Sequence, residues 1–127
     1  MSSRSDNFNR ADSTTALGTP SDGGSDWVAA AGTWGITSNA GYKVATNEVF
    51  QAAYLEASSA VVDVQVTMPL LTNGGIAARV ADNSNLLFLQ ARDFENDIVL
   101  WKRVAGTFTQ LGSTYSGAVV DGDTLKL

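Results

Sequence analysis

Two acidic side chains in the second half of the chain have a spacing that could support glycoside hydrolysis. Glu95 and Asp97 are two residues apart, and on one β-strand that spacing places both side chains on the same face. Glycosidases need two carboxylates about 5–10 Å apart across the sugar ring. Residues 94–97, however, have the composition of a turn between strands, and Glu48 and Glu56 are isolated. We therefore predict solvated turn residues at this place, and a protein that is not an enzyme.

The overall composition excludes several further classes of chemistry. Histidine and cysteine are both absent, so the commonest general base, thiolate metal ligands and disulfides are missing. The net charge of -5 argues against nucleic acid as a partner, because phosphate binding needs a cationic surface. No stretch approaches the roughly 18 apolar residues of a membrane helix. The polar N-terminus MSSRSDNFNR has no apolar segment of the kind that marks a secretory signal peptide.

Acidic side chains near both ends of the chain are candidate ligands for calcium. Asp6 is followed by Asn7 and Asp12, and Asp121 and Asp123 belong to a short acidic turn. Calcium is bound by oxygen ligands, which these side chains supply. The alternative is that these aspartates only stabilise turns through their own backbone, as aspartate commonly does. A structural calcium site at Asp6, Asp121 and Asp123 is the prediction.

Residues 60–105 contain four runs of strand-forming residues, each closed by a turn sequence. In residues 61–68 apolar side chains alternate with a mostly polar set, and the same period of two continues through the three runs that follow. One face is therefore apolar, and the other carries aromatic, amide, carboxylate and guanidinium groups. This pattern is typical of one layer of an antiparallel sandwich. Residues 46–57 could form a helix by propensity, but their β-branched and aromatic content favours a strand.

The remaining segments are shorter and richer in turn residues. Asp6–Arg10 could form a short strand, and residues 39–41 predict a hairpin turn of three to five residues. Trp27 and Trp34 are most simply core or lid residues. The last predicted strand is Thr124–Leu127, whose unpaired backbone groups would need a cover.

The mixed face of the central strands is the best predicted ligand site. Sugar binding uses an aromatic ring against the face of the pyranose, with amides, carboxylates and guanidinium groups for the hydroxyls. The alternative is that these side chains form cross-strand pairs, such as Asp63 with Arg79, and that Trp101 packs in the core. The predicted ligand-binding residues are Asp63, Gln65, Arg79, Gln90, Arg92 and Trp101.

Short motifs distributed over almost the whole chain carry a resemblance to a known superfamily. They are D-x-F-x-R-A-D at residues 6–12, L-G at 17–18, Trp27, G-T-W-G-I at 32–36, G-G-I-A-A-R-V-A-D at 74–82, L-W-K at 100–102 and G-D-T-L-K-L at 122–127. In this order they resemble the concanavalin A-like lectin/glucanase superfamily, and most of all its LamG-like modules in phage tail proteins and bacterial surface proteins. The resemblance implies a two-sheet jelly-roll sandwich formed by residues 1–127 as one domain, after a flexible lead-in at residues 1–5.

The resemblance also implies a function and a location. It implies a non-enzymatic structural module, in a phage virion or at a bacterial surface, that binds carbohydrate or a neighbouring protein. Related modules often hold a structural calcium ion near the chain ends. The glucanases of the superfamily carry a Glu-x-Asp-x-x-Glu strand, which this chain lacks. The alternatives are a carbohydrate-binding fragment of a glycoside hydrolase and a structural element without a ligand.

The chain departs from the pattern of such modules after its last motif. They typically continue with a Gly-x-x-Val-x-Val-x-x-Asn-Gly hairpin and a closing strand, which do not follow residues 122–127 here. We therefore expect either a fragment of a longer module or an oligomer in which another chain completes the open sheet.

Overall fold

The structure is a computed structural model, and it describes residues 3–44, 50–58, 63–68 and 74–127. Over these residues it contains β-strands and no helix, and every strand pair is antiparallel. The predicted all-β antiparallel fold class is confirmed. The chain divides into two compact units, Met1–Ala60 and Val61–Leu127. The prediction of a single domain over residues 1–127 stays a prediction beside this division.

The first unit is built from two small antiparallel strand pairs. β1 (Val28–Ala29) pairs with β4 (Ala53–Tyr54), and β2 (Trp34–Thr37) forms a hairpin with β3 (Ala40–Lys43). Residues 46–49 of segment 46–57, for which the sequence allows a helix or a strand, lie outside the described residues. The described remainder of that segment contains β4 and no helix.

The hairpin between β2 and β3 has a tighter turn than the sequence predicts. Thr37 lies directly opposite Ala40, so the loop consists of Ser38 and Asn39 alone. Both residues have positive φ, 49° and 60°, which a two-residue type I′ turn requires. Asparagine tolerates this conformation better than most residues, and the turn therefore lies one residue earlier than predicted.

Residues 6–10 form no strand, although the sequence suggested one. Phe8 has a φ of 54°, which lies outside the extended region. The amide nitrogen of Phe8 donates to Oδ1 of Asp6 at 2.9 Å, and the amide nitrogen of Arg10 donates to the carbonyl of Phe8 at 2.9 Å. The backbone therefore turns back toward Asp6, because side-chain acceptors compete with the ladder bonds of a strand.

The second unit contains two antiparallel sheets. Their strands are β5 Gln65–Thr67, β6 Gly74–Asp82, β7 Asn85–Arg92, β8 Asp97–Val104, β9 Thr107–Ser116 and β10 Thr124–Lys126. The first sheet, called the meander, has the strand order β6-β7-β8-β9, and the second, called the ribbon, pairs β5 with β10. The described residues between these strands contain no helix.

The ribbon covers one face of the meander and forms a core with it. Ile76 of β6, Ala91 of β7 and Leu125 of β10 are buried together. The half-buried apolar residues around this cluster are Val64, Val66, Met68, Leu89, Ile98, Val119 and Leu127. Two layers of sheet therefore pack face to face within this unit, as the predicted alternation in residues 61–68 requires.

The last strand is paired with the segment that contains β5. Thr124 lies opposite Thr67 and Lys126 lies opposite Gln65. Beyond the strand, Leu127 and Val64 exchange two backbone hydrogen bonds of 2.8 Å each. The backbone groups at this end of the ribbon are therefore satisfied by β5 and its preceding residue.

Two irregularities interrupt the meander. Between the pairs Ala78–Leu87 and Asp82–Asn85, three residues of β6 face one residue of β7. Arg79 lies in this bulge with a φ of 51°. A second shift lies between the pairs Ile98–Tyr115 and Leu100–Leu111 of β8 and β9. Such bulges bend a strand and re-aim its side chains.

Candidate functional site

A buried carboxylate organises the loops of the first unit. The side chain of Asp6 is only 2% exposed and forms an ion pair with Arg10. Arg10 donates from Nη1 to Oδ1 and from Nη2 to Oδ2 of Asp6, each at 2.8 Å. This bidentate geometry is the strongest form of carboxylate–guanidinium pair. Arg10 also donates from Nε to the carbonyl of Leu17 at 2.8 Å, and it therefore links residue 6 to the loop at residue 17.

Three further donors complete the contacts of the Asp6 carboxylate. The indole nitrogen of Trp27 donates to Oδ2 at 2.7 Å, and the amides of Phe8 and Ser21 donate to Oδ1 at 2.9 and 3.2 Å. Burial raises the pKa of Asp6, but the hydrogen bonds from Arg10, Phe8 and Trp27 and the charge of Arg10 outweigh it and lower the pKa to about 2. The carboxylate is therefore ionised at any ordinary pH.

Trp27 connects this carboxylate to a cleft in the surface of the first unit. Its indole is held at the nitrogen by Asp6 and is stacked on the ring of Phe8, with ring centroids 5.6 Å apart. Trp34 is held in a similar way, because its indole nitrogen donates to the carbonyl of Ala31 at 3.1 Å. Both indoles have fixed positions and satisfied N–H groups, and what they offer a ligand is ring surface.

The cleft between these tryptophans combines aromatic rings with hydroxyl groups. It encloses about 140 Å³, which is less than the roughly 300–1,000 Å³ of sites for drug-sized ligands. Its size therefore suits one small ring or one side chain. It is lined by Thr15, Ala16, Leu17, Trp27, Ala29, Gly32, Thr33 and Trp34.

The sequence does not reveal this cleft, because the simplest prediction for Trp27 and Trp34 is a place in the core or in a lid. The structure leaves both of them half-buried. Gly32 has a φ of 78°, and a side chain at Gly32 would collide with Gln51. Two tryptophans seven residues apart around a glycine-containing turn were the available signal, but nothing in their spacing shows that they line one concavity.

On the meander, three of the six predicted ligand residues share one face. Gln90 and Arg92 alternate along β7 with the residues that face the core. Trp101 of β8 lies opposite Phe88 of β7, which is on the same face as Gln90. The indole nitrogen of Trp101 donates to Oε1 of Gln90 at 3.0 Å. Val99, which lies opposite Gln90 on this face, is 1% exposed. The face is therefore partly shielded from solvent.

The charged partner of Arg92 is also fixed. Arg92 donates from Nε and Nη2 to the two carboxylate oxygens of Asp97, each at 2.7 Å. The hydrogen bond from Arg92 is the main cause that lowers the pKa of Asp97. Asp97 begins β8, whereas Glu95 is exposed in the turn. The two carboxylates with the glycosidase spacing therefore belong to different local structures, and one of them is held by an arginine.

The other three predicted ligand residues lie elsewhere in the second unit. Asp63 and Gln65 alternate with the core-facing valines of the ribbon, so they project away from the meander and are exposed. Asp63 forms an exposed ion pair of 3.1 Å with Lys126. Arg79 is exposed within the β6 bulge. The predicted set of six is therefore divided between the two layers and the bulge.

The residues predicted to bind calcium have different environments. Both oxygens of Asp6 accept hydrogen bonds from N–H donors and Arg10 balances its charge, an arrangement that does not fit a calcium ligand. Asp121 and Asp123 are exposed in a turn, and Oδ2 of Asp123 accepts from the amide of Val120 at 3.0 Å. In the described part of the chain, no group of three or more acidic side chains could hold a metal ion. Calcium binding by this protein stays a prediction.

Comparisons with models of protein families, with curated proteins and with solved structures find no match to this chain. Within the described residues, no helix is long and apolar enough to cross a membrane. The function is therefore inferred from the residues themselves and from the resemblance carried by the short motifs.

Proposed function

We propose that this protein is a non-enzymatic binding module of the concanavalin A-like, LamG-like kind, with a jelly-roll connection of its strands. Its role is to bind a carbohydrate group as part of a phage virion or a bacterial surface assembly. The observation that carries the carbohydrate assignment is the cleft in the first unit. It is lined by two tryptophans and two threonines, Trp27, Trp34, Thr15 and Thr33.

The chemistry of the cleft matches that of a sugar ring. One face of a pyranose carries C–H groups, which pack against an indole ring, while its hydroxyls need donors and acceptors around the edge. Trp27 and Trp34 supply the ring surface, and Thr15 and Thr33 supply hydroxyls that both donate and accept. The volume of about 140 Å³ supports recognition of a single terminal sugar over a long chain.

The proposed module has no glycosidase activity. Of the two acidic residues with suitable spacing, Asp97 is bound by Arg92 on both oxygens and has a lowered pKa. A lowered pKa does not suit a general acid at neutral pH, and a carboxylate bound by an arginine on both oxygens is not free to attack a sugar. We expect no hydrolysis of β-glucans or other oligosaccharides by the purified chain.

Binding can be tested with a glycan array followed by calorimetric titration of the glycans that bind. Thr15→Val and Thr33→Val each remove one hydroxyl at nearly constant volume, and each should weaken binding by roughly 3- to 10-fold. Thr14→Val is the matched control, because Thr14 is exposed and does not line the cleft. Its affinity should equal that of the wild type.

Two tryptophan variants distinguish this cleft from the meander face. Trp34→Ala should reduce affinity at least tenfold, since it removes half of the aromatic surface of the cleft. Trp101→Ala removes the only tryptophan of the meander and tests the sequence-predicted site. Loss of binding in Trp101→Ala with full binding in Trp34→Ala would place the site on the meander face. No binding of any glycan would reject the carbohydrate assignment.

A further inference from the structure

The outer strand of the meander is a long exposed edge. β9 (Thr107–Ser116) has ten residues, and all of them are exposed except Leu111, which is half-buried. Among the described strands, β9 is paired with β8 alone. An edge strand of this length is a template for pairing with another chain unless the protein protects it.

Two of the usual protective devices, charge and proline, are missing from β9. Its sequence, TFTQLGSTYS, contains no charged residue and no proline, and its bulge lies beyond Leu111. The opposite edge strand of the meander, β6, carries Arg79 in a bulge and ends at Asp82. Charged side chains and bulges prevent edge-to-edge pairing, and residues 107–111 of β9 have neither.

The straight part of this edge is defined by a turn and a bulge. Val104 lies opposite Thr107, and the loop between them is Ala105-Gly106, with φ values of 48° and 82°. These values fit a two-residue type I′ turn, in which the flanking pair is hydrogen-bonded. At the other end, the shift between Leu111 and Tyr115 interrupts the ladder. Residues 107–111 are therefore the regular segment.

The alternation of an antiparallel ladder sets which peptide groups face outward. Thr107, Thr109 and Leu111 direct their backbone groups toward β8, because the flanking pair of the turn is hydrogen-bonded and pairs alternate from there. The N–H and C=O groups of the alternate residues, Phe108 and Gln110, consequently point away from β8. A second copy can form backbone hydrogen bonds with this edge when a two-fold axis passes through Thr109.

We propose that two copies of this protein associate through β9, antiparallel and with Thr109 opposite Thr109 of the second copy. The two meanders then form one continuous eight-stranded sheet, and the two-fold symmetry closes the assembly at a dimer. Thr107 faces Leu111 across the axis, and Phe108 faces Gln110. This association is separate from the carbohydrate cleft, which lies in the first unit.

Charge favours this edge as the place where two copies meet. The chain has a net charge of -5, so most approaches between copies are repulsive, whereas the ten residues of β9 are neutral. Lys102 lies opposite Thr109 on β8, and in the dimer the two lysines are separated by two intervening strands. At about 4.8 Å per strand they are roughly 14 Å apart, which exceeds the screening length of about 8 Å at physiological salt.

The proposed interface is small and the dimer is correspondingly weak. A single pair of five-residue segments buries less than the roughly 1,200 Å² of a standard stable interface. We therefore expect a dissociation constant in about the micromolar range. Sedimentation velocity from about 1 to 300 μM should show a concentration-dependent shift from monomer to dimer, in a range that brackets such a constant.

Thr109→Glu tests the edge without weakening the monomer. Within one copy the new carboxylate lies opposite Lys102, which is a favourable cross-strand pair. Across the two-fold axis it faces an identical carboxylate, which is unfavourable. The dissociation constant should rise at least tenfold. Thr67→Glu is the matched control, because Thr67 is an exposed strand threonine of the ribbon, and it should leave the dimer unchanged.

A single cysteine tests the register directly. The natural chain has no cysteine, and the pair at the axis has a Cα separation of about 4.5 Å, which a disulfide can span. Thr109→Cys should form a covalent dimer when an added oxidant accepts the two electrons and two protons of the thiol pair. Thr67→Cys should remain mostly monomeric under the same conditions. A monomer at every concentration, open-ended polymers, or a dimer that Thr109→Glu does not weaken would each overturn the proposal.

Discussion

Ser13 and Ile36 exchange two backbone hydrogen bonds of 2.9 Å each, although Ser13 belongs to no strand. This bridge fixes the loop of residues 11–25 against β2, and Ile36 beneath it is 1% exposed. The approach is possible because residue 35 is a glycine. A Cβ atom at that position would overlap the carbonyl oxygen of Ser13.

Gly35→Ala should therefore destabilise the first unit by about 1–3 kcal/mol, the usual cost of overpacking. The free energy of unfolding can be measured with urea in a Trp101→Phe background, where Trp27 and Trp34 report on the first unit alone. A free energy of unfolding within about 0.5 kcal/mol of that of the background protein would contradict the role of the bridge.

Asp6→Asn should be strongly destabilising, because it removes the charge that holds Arg10. The amide of asparagine would also place N–H donors against the donors of Arg10 or Trp27. We expect a loss of about 2–4 kcal/mol in the free energy of unfolding, close to the cost of breaking a buried ion pair. Asp12→Asn makes the same change at an exposed aspartate that accepts one bond, from the amide of Ser38. It should cost less than about 1 kcal/mol.

Acid should remove the contribution of Asp6 over a defined range. The pKa of Asp6 is about 2 in the folded protein, below the ordinary aspartate value of 3.8 that applies to the unfolded chain, so the folded state stabilises the ionised form. That stability is complete above about pH 4 and is lost as the pH falls toward 2, with a total of about 2 kcal/mol at 1.36 kcal/mol per pKa unit.

The measurement is the difference in unfolding free energy between wild type and Asp6→Asn at pH 6, 4, 3 and 2. The lowered pKa values of Asp22 and Asp97 affect both proteins and cancel in this difference. The difference should shrink as the pH falls below 4. A constant difference would show that the charge of Asp6 does not carry the effect.

Leu125→Ala should show that the ribbon and the meander share one core. Leu125 is 5% exposed and is buried with Ile76 and Ala91, so the truncation should cost about 2–4 kcal/mol. Val120→Ala is the matched control, because Val120 is 58% exposed in the loop before β10. A loss below 1 kcal/mol in Leu125→Ala would mean that the ribbon contributes little to this core.

Local turn chemistry and the period of two predicted most of the meander. The loops at residues 83–84 and 105–106 close runs of strand-forming residues, as predicted, and Val64, Val66 and Met68 pack on the core as expected. Residues 6–10 could not be assigned in this way, because their conformation depends on contacts between Asp6 and distant residues such as Trp27.

The predicted ligand set was only partly brought together, for a physical reason. Alternation decides which side chains of one strand share a face, and it correctly grouped Gln90 and Arg92. It does not say which layer a strand enters, so Asp63 and Gln65 were grouped with residues of the other sheet. A bulge also resets the phase of a strand, which separates Arg79 from the rest.

The two sheets of the second unit differ in the length of chain that their pairing must close. Each hairpin of the meander joins neighbouring strands through loops of two to four residues, whereas Thr67 and Thr124 of the ribbon are 57 residues apart in sequence. Local contacts form early, because distant ones carry a larger loop-closure entropy. The meander is therefore the expected folding nucleus, and the strands of the ribbon should pair late in folding. Weakening β10 should then speed unfolding more than it slows folding.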